Sequence, residues 1–169
     1  MEHEELLEIA RIISDGDEAV LKEMSGCLTD TEAFYEARRE RYEERCVDAG
    51  DDPLKIRLLG LVDILEEHGY VCERDWKDEK EDFFYFFSSL HGIKRLKLDM
   101  QEAWLDEDGD IEEWCGILNE KWTDRQCCAA AVGIDSDSYV LFTCTLEELA
   151  RLEKLAPAEY PIEKVGRYE

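Results

Sequence analysis

The chain is short of basic residues, short of histidine and without a long apolar run, and each shortage removes a class of function. Its 169 residues include 20 lysines and arginines against 44 aspartates and glutamates, a formal net charge of -24. Phosphate backbones and anionic lipid headgroups repel such a surface at long range. The charge argues against nucleic-acid and membrane partners and favours a basic protein. No apolar stretch approaches the roughly 18 residues expected of a membrane span. The opening MEHEELLEIARII lacks the basic and unbroken apolar regions of an export signal, so a cytoplasmic location is expected. The seven cysteines form no CxxC pair, and most lie in apolar runs where a thiol acts as a small hydrophobe, so reduced core cysteines are expected. Three histidines, and no Gly-rich phosphate loop, Ser-centred elbow, HExxH or kinase signature, leave no catalytic constellation.

What is present suffices for one domain over 1–169, with a helical half (1–68) and an α/β half (69–169). Leu6, Ile9, Ala10 and Ile13 recur at helical spacing and stop at Ser14-Asp15-Gly16. Asp15, three residues before Glu18, reads as the cap of a second helix, and Thr29 with Glu32 as the capping box of a third, TEAFYEARRERYEERC. The arginines of that third segment, Arg38, Arg39, Arg41 and Arg45, are the one strong basic cluster. Interleaved glutamates favour an internally paired face over an anion grip. Asp52-Pro53 starts LKIRLLGLVDILEEHG, apolar on most of its circumference and the best candidate for a central buried helix. Gly60 within it is costly unless another backbone approaches closely there.

After Gly69 the pattern changes. YVCERDW reads as a strand, FFYFFSSLHG as a helix in preference to a buried strand, and KRLKLDM as a short edge strand. His68 and His91, each before a glycine, read as C-terminal helix punctuation. Ile111, Cys115, Leu118 and Trp122 make one helical face. CCAAAVGI and YVLFTC are apolar on both sides, as covered strands are, and Asp135-Ser136-Asp137-Ser138 between them is turn chemistry, giving a hairpin. Thr145 and Glu148 form a capping box for a last helix, stopped by Pro157. The fold class is α/β of the α+β type. N-terminal helices accompany a small, mostly antiparallel sheet with strands near 70–75, 127–134 and 139–144, and a C-terminal helix follows over 145–156.

LDEDGDIEEW, residues 105 to 114, looks most like a site. A calcium loop needs oxygen ligands at positions 1, 3 and 5, Gly at 6 and a bidentate Glu at 12. With Gly109 at position 6, Asp106 and Asp108 fall correctly, but Trp104 and Cys115 occupy the anchoring positions. Starting at Asp106 puts Ile111 and Ile117 where Gly and Glu belong. Asp110 with Glu113 instead supplies a helix cap. No metal and no cofactor are assigned. Seven acids and no base lie between Glu102 and Glu113, more than a cap requires. The candidate is therefore an acidic docking surface of Asp106, Glu107, Asp108, Asp110, Glu112 and Glu113. The alternative is a small-ligand or enzyme pocket near Asp135 and Asp137, which an Asx-turn explains as well.

GYVCERDWKDEKEDFFYFF, then WCGILNEKW and GIDSDSYVLFTCTLEELARL, resemble an uncharacterised bacterial family known as a domain of unknown function, over about residues 69–156. The resemblance implies a small α/β domain in the bacterial cytoplasm and carries no activity or catalytic residue. The acidity, the size and the hairpin-then-helix ending are also similar to immunity proteins of toxin systems. The charge imbalance together with the lack of a catalytic constellation gives an acidic protein-binding module, an inhibitor or immunity-like protein being one form of it.

Overall fold

The computed structural model describes residues 2–166, which divide into two compact units, Met1–His68 and Gly69–Glu169. No helix among the described residues is long and apolar enough to cross a membrane.

The first unit is helical: α1 (Glu2–Ile13), α2 (Glu18–Thr29), α3 (Thr31–Ala37), α4 (Arg39–Glu44) and α5 (Pro53–Glu67). Leu6, Ile9, Ala10 and Ile13 are the buried stripe of α1. Asp15 does not cap α2. Its φ of 54° is left-handed and closes α1 together with Gly16, so the cap passes to Asp17, whose carboxylate accepts from the amides of Ala19 and Val20. Thr29 is likewise the last residue of α2, and Asp30 caps α3 by accepting from Ala33. The charged segment is not one helix: it breaks at Arg38 between α3 and α4, and Tyr35 and Tyr42 stack inside at 4.8 Å. Every position of α5 from Leu58 to Leu65 is buried. At Gly60 the close neighbours are side chains rather than a backbone: a Cβ would lie 2.8 Å from the Phe34 ring and 2.9 Å from the Tyr42 hydroxyl.

Asp63 sits in the middle of that buried stretch, and two arginines reach its carboxylate. Arg45 Nη2 lies 2.8 Å and Arg41 Nε 3.2 Å from Oδ1. Arg45 is itself nearly buried, so the pair is shielded from water on both sides.

The second unit holds an antiparallel sheet of order β1-β3-β2-β4, formed by β1 (Cys72–Asp75), β2 (Cys127–Val132), β3 (Ser138–Thr145) and β4 (Ile162–Lys164). The hairpin expected around Asp135 is present: β2 and β3 run in register from Cys127 opposite Thr145 to Val132 opposite Val140. Thr145 caps α9 (Leu146–Leu155) with both bonds of the capping box formed. The aromatic run is helix α6 (Lys80–Ser88). Its 3.6-residue period puts Phe83 and Phe87 inside and leaves Tyr85 and Phe86 exposed. Phe83, Phe87, Leu98, Trp114, Cys115, Leu118 and Trp122 pack with Ala129 and Leu141 of the sheet as one core.

KRLKLDM is not an edge strand. Helix α7 (His91–Arg95) consumes its beginning, and Lys97, at φ 55°, turns the chain so that the Leu98 amide bonds back to Ile93. Gly92 opens α7 against the sheet so closely that a Cβ would meet Thr143 Oγ1 at 2.2 Å. His91 therefore begins a helix rather than ending one. Its amide donates to the Gly69 carbonyl, and its ring packs on Tyr70 at 4.9 Å. The edge positions belong to β1 and to β4, a strand of three residues with one buried side chain that sequence periodicity does not reveal. Helix α8 (Ile111–Lys121) lies between the 105–110 loop and β2 in sequence and supports the site described below.

Two substitutions test this packing. Asp63→Ala removes the buried acceptor that Arg41 and Arg45 share and is expected to lower stability by about 3 kcal/mol, read from urea unfolding. A loss within roughly 0.5 kcal/mol would show the pair to be incidental. Gly166 has φ 89°, and a Cβ there would lie 2.3 Å from the Gly116 amide nitrogen of α8. Gly166→Ala is expected to cost about 2–4 kcal/mol by backbone strain and overpacking. An unchanged midpoint would mean the chain after β4 does not lie against α8.

Candidate functional site

The acidic stretch is an ordered loop whose carboxylates divide by role. Leu105 is buried, and its carbonyl accepts from Lys80 Nζ at 3.2 Å. Asp106 makes an Asx-turn: Oδ1 accepts from the Asp108 amide at 2.9 Å, and its carbonyl accepts from the Gly109 amide at 3.0 Å. The same carbonyl accepts from the indole of Trp114 at 2.7 Å. Gly109, the residue that suggested a calcium loop, is small because that indole passes it: a Cβ would stand 2.9 Å from Trp114 Nε1. Asp110 caps α8, accepting from the Glu113 amide at 2.9 Å. Asp106 and Asp110 are thus taken up by backbone donors, and Glu113 stands in the first turn of α8, where a negative charge suits the helix dipole.

Glu112 reaches elsewhere. Its Oε2 accepts from the Tyr139 hydroxyl of β3 at 2.9 Å, and its Oε1 accepts from the Gly166 amide at 3.0 Å. It joins the first turn of α8 to the sheet and to the chain beyond β4. Glu107 and Asp108 remain exposed, with carboxylates that no hydrogen bond or ion pair among the described residues engages.

The two regions read separately in the sequence meet at Glu112. An open cleft of about 190 Å³ is lined by Glu112, Gly133, Asp135, Ser136, Tyr139 and Lys164, among others. Asp135 has φ 57° at the hairpin tip, a left-handed conformation that aspartate tolerates better than most residues. Asp137 is not brought to the cleft. It lies exposed at the tip, where its carbonyl accepts from the Trp76 amide at 3.1 Å. Nothing in the sequence marks the pairing of Glu112 with Tyr139, 27 residues apart. Burial first, and then the hydrogen bond to Glu112, push the Tyr139 phenol up to about 12.

The other candidates supply no chemistry. In the first unit Arg38 bonds to Glu67 and Glu23, Arg39 to Glu36, and Arg41 and Arg45 to Asp63. The basic cluster is a set of ion pairs, several of them with α5 rather than with its own glutamates. His68 Nε2 lies 2.7 Å from Glu23. Six of the seven cysteines are buried and Cys46 is exposed. Burial raises the thiols of Cys27, to about 11, and of Cys115, so neither is a poised nucleophile. Among the described residues no group of three or more His, Cys, Asp or Glu side chains is placed to hold a metal ion.

The phenol gives a direct check of the geometry around Glu112. Folded Tyr139 holds its proton to a higher pH than the unfolded chain, whose phenols titrate near 10. Stability from this group is therefore complete below about pH 10 and is lost as pH rises towards 12. Subtracting a Tyr139→Phe titration from that of the wild type, followed by phenolate absorbance, is expected to leave a transition near 12. A transition near 10 would contradict the contact with Glu112.

Across residues 5–165 the chain matches a family model described as Domain of unknown function (DUF6630), and it belongs to that family. Neither a curated protein nor a solved structure matches it.

Proposed function

We propose that this family member is an acidic protein-binding module of the cytoplasm that docks a basic partner, in the manner of an inhibitor or immunity protein. The observation that carries the reading is the pair of unengaged carboxylates at Glu107 and Asp108, held outward on a loop that Trp114 and Lys80 fix in place. A loop with no external role has little reason to concentrate like charge, because its acids repel one another and gain nothing from the fold. With a net charge of -24, the surface steers cationic partners towards it, and the attraction is screened over about 8 Å at physiological salt.

A second reading is a small-ligand or enzyme pocket at the cleft between Glu112, Asp135 and Tyr139. The cleft favours it in combining carboxylates, a phenol and Lys164 within one concavity. Its volume of about 190 Å³ falls below the roughly 300–1,000 Å³ usual for ligand pockets, which places this reading second.

Capture from a native lysate at low and high salt, with wild type beside an Asp106→Asn, Glu107→Gln, Asp108→Asn variant, distinguishes the two. The docking reading expects a basic partner held by the wild type at low salt, released at high salt and lost from the variant. Salt-indifferent capture, or equal capture by the variant, would refute it.

A further inference from the structure

Three large aromatic side chains stand in water on the second unit: Trp76 is 50%, Tyr85 67% and Phe86 41% exposed. Each offers on the order of 100 Å² of largely apolar surface that hydration disfavours. The neighbouring outward positions of α6, Glu81 and Asp82, are polar, so aromatic residues are not required on this face. Phe86 and Tyr85 meet edge to face at 5.0 Å. Arg74 of β1 lies over the Phe86 ring at 4.1 Å, fixed there by two bonds to Asp78 of 2.7 and 2.8 Å. Two residues on, Trp76 is anchored to the hairpin tip through its amide and the Asp137 carbonyl.

The charges around these rings are of one sign in excess. Between Glu73 and Asp82 there are six acids and three bases. The bases are occupied: Arg74 by Asp78 and Phe86, Lys77 by the Trp76 ring at 5.0 Å, and Lys80 by the Leu105 carbonyl. Glu79, Glu81 and Asp82 are exposed and make no ion pair within 4 Å among the described residues, Asp82 acting on Arg74 only at longer range. Rings that already attract the chain's own cations, in a field of unpaired carboxylates, match one kind of ligand.

We propose that Trp76, Tyr85 and Phe86, with the carboxylates of Glu79, Glu81 and Asp82, form the docking face for an arginine- or lysine-rich segment of a partner protein. The proposal rests on the acidic-docking reading above and extends it from the Glu107–Asp108 loop to α6, which Lys80 ties to that loop through the Leu105 carbonyl. Guanidinium or ammonium groups stack on the rings while the carboxylates take their charge. An apolar helix is a poor occupant, because it would leave the same carboxylates desolvated and unpaired. A second copy of this chain brings another net charge of -24 and like acids to the contact, and a nucleic acid meets the same repulsion.

The test uses the whole chain and a labelled peptide of alternating arginine and glycine, with a citrulline-glycine peptide as the uncharged control, followed by fluorescence anisotropy. The arginine peptide is expected to bind at low salt and the citrulline peptide not. Trp76→Ala with Tyr85→Ala, which leaves Phe86 under Arg74, is expected to weaken binding about tenfold while the melting temperature is unchanged. Undiminished binding to this double variant would overturn the aromatic face and leave the acidic-docking reading standing. Equal binding of the citrulline peptide would overturn the cationic ligand. Failure of wild type to bind the arginine peptide at low salt would overturn the acidic-docking reading itself.

Discussion

The indole of Trp114 is the contact on which the second unit's surface depends. Its ring lies 5.1 Å from Phe83 in the core, and its N–H holds the Asp106 carbonyl at 2.7 Å. One side chain therefore anchors an acidic loop to a hydrophobic core. A buried indole N–H needs an acceptor, and leaving it unmet costs about 1–3 kcal/mol. The loop supplies that acceptor and acquires a fixed shape in return. The first turn of α8 follows from the same placement, and with it the position of Glu112.

Two faces arise from this arrangement, and they differ in chemistry. Around Glu112, Asp135 and Tyr139 the polar groups largely satisfy one another: the carboxylate of Glu112 already has a phenol and an amide. Around Glu107, Asp108, Glu81 and Asp82 no hydrogen bond or close ion pair among the described residues engages the carboxylates, and exposed aromatic residues follow the last two on α6. A surface that has not met its own electrostatic demand is the better candidate for binding something else. This contrast, more than the total charge, is what favours the acidic face over the cleft in the docking proposal.

Local signals in the sequence carried much of the fold. Thr145 with Glu148, Asp110 before Ile111 and the Asp135–Ser138 turn are short-range chemistry, and each is found where its spacing places it. Misreadings occurred where two residues competed for one role. Asp15 and Asp17 both precede α2, and only the left-handed backbone at Asp15 decides between them. KRLKLDM alternates like a strand, yet Lys97 turns it back on α7. Of the site, the acidic loop was legible as an excess of charge. The Glu112–Tyr139 contact and the Trp76 anchor were not, because both depend on how distant segments of the sheet come together.

Mapping amide and indole chemical shifts of the chain during titration with the arginine-glycine peptide tests the central claim most directly. Movement concentrated at Trp76, Glu79–Phe86 and Asp106–Asp108, with the Gly133–Tyr139 cleft unmoved, is the result this account requires. Shifts confined to the cleft, or spread evenly over both units, would contradict it.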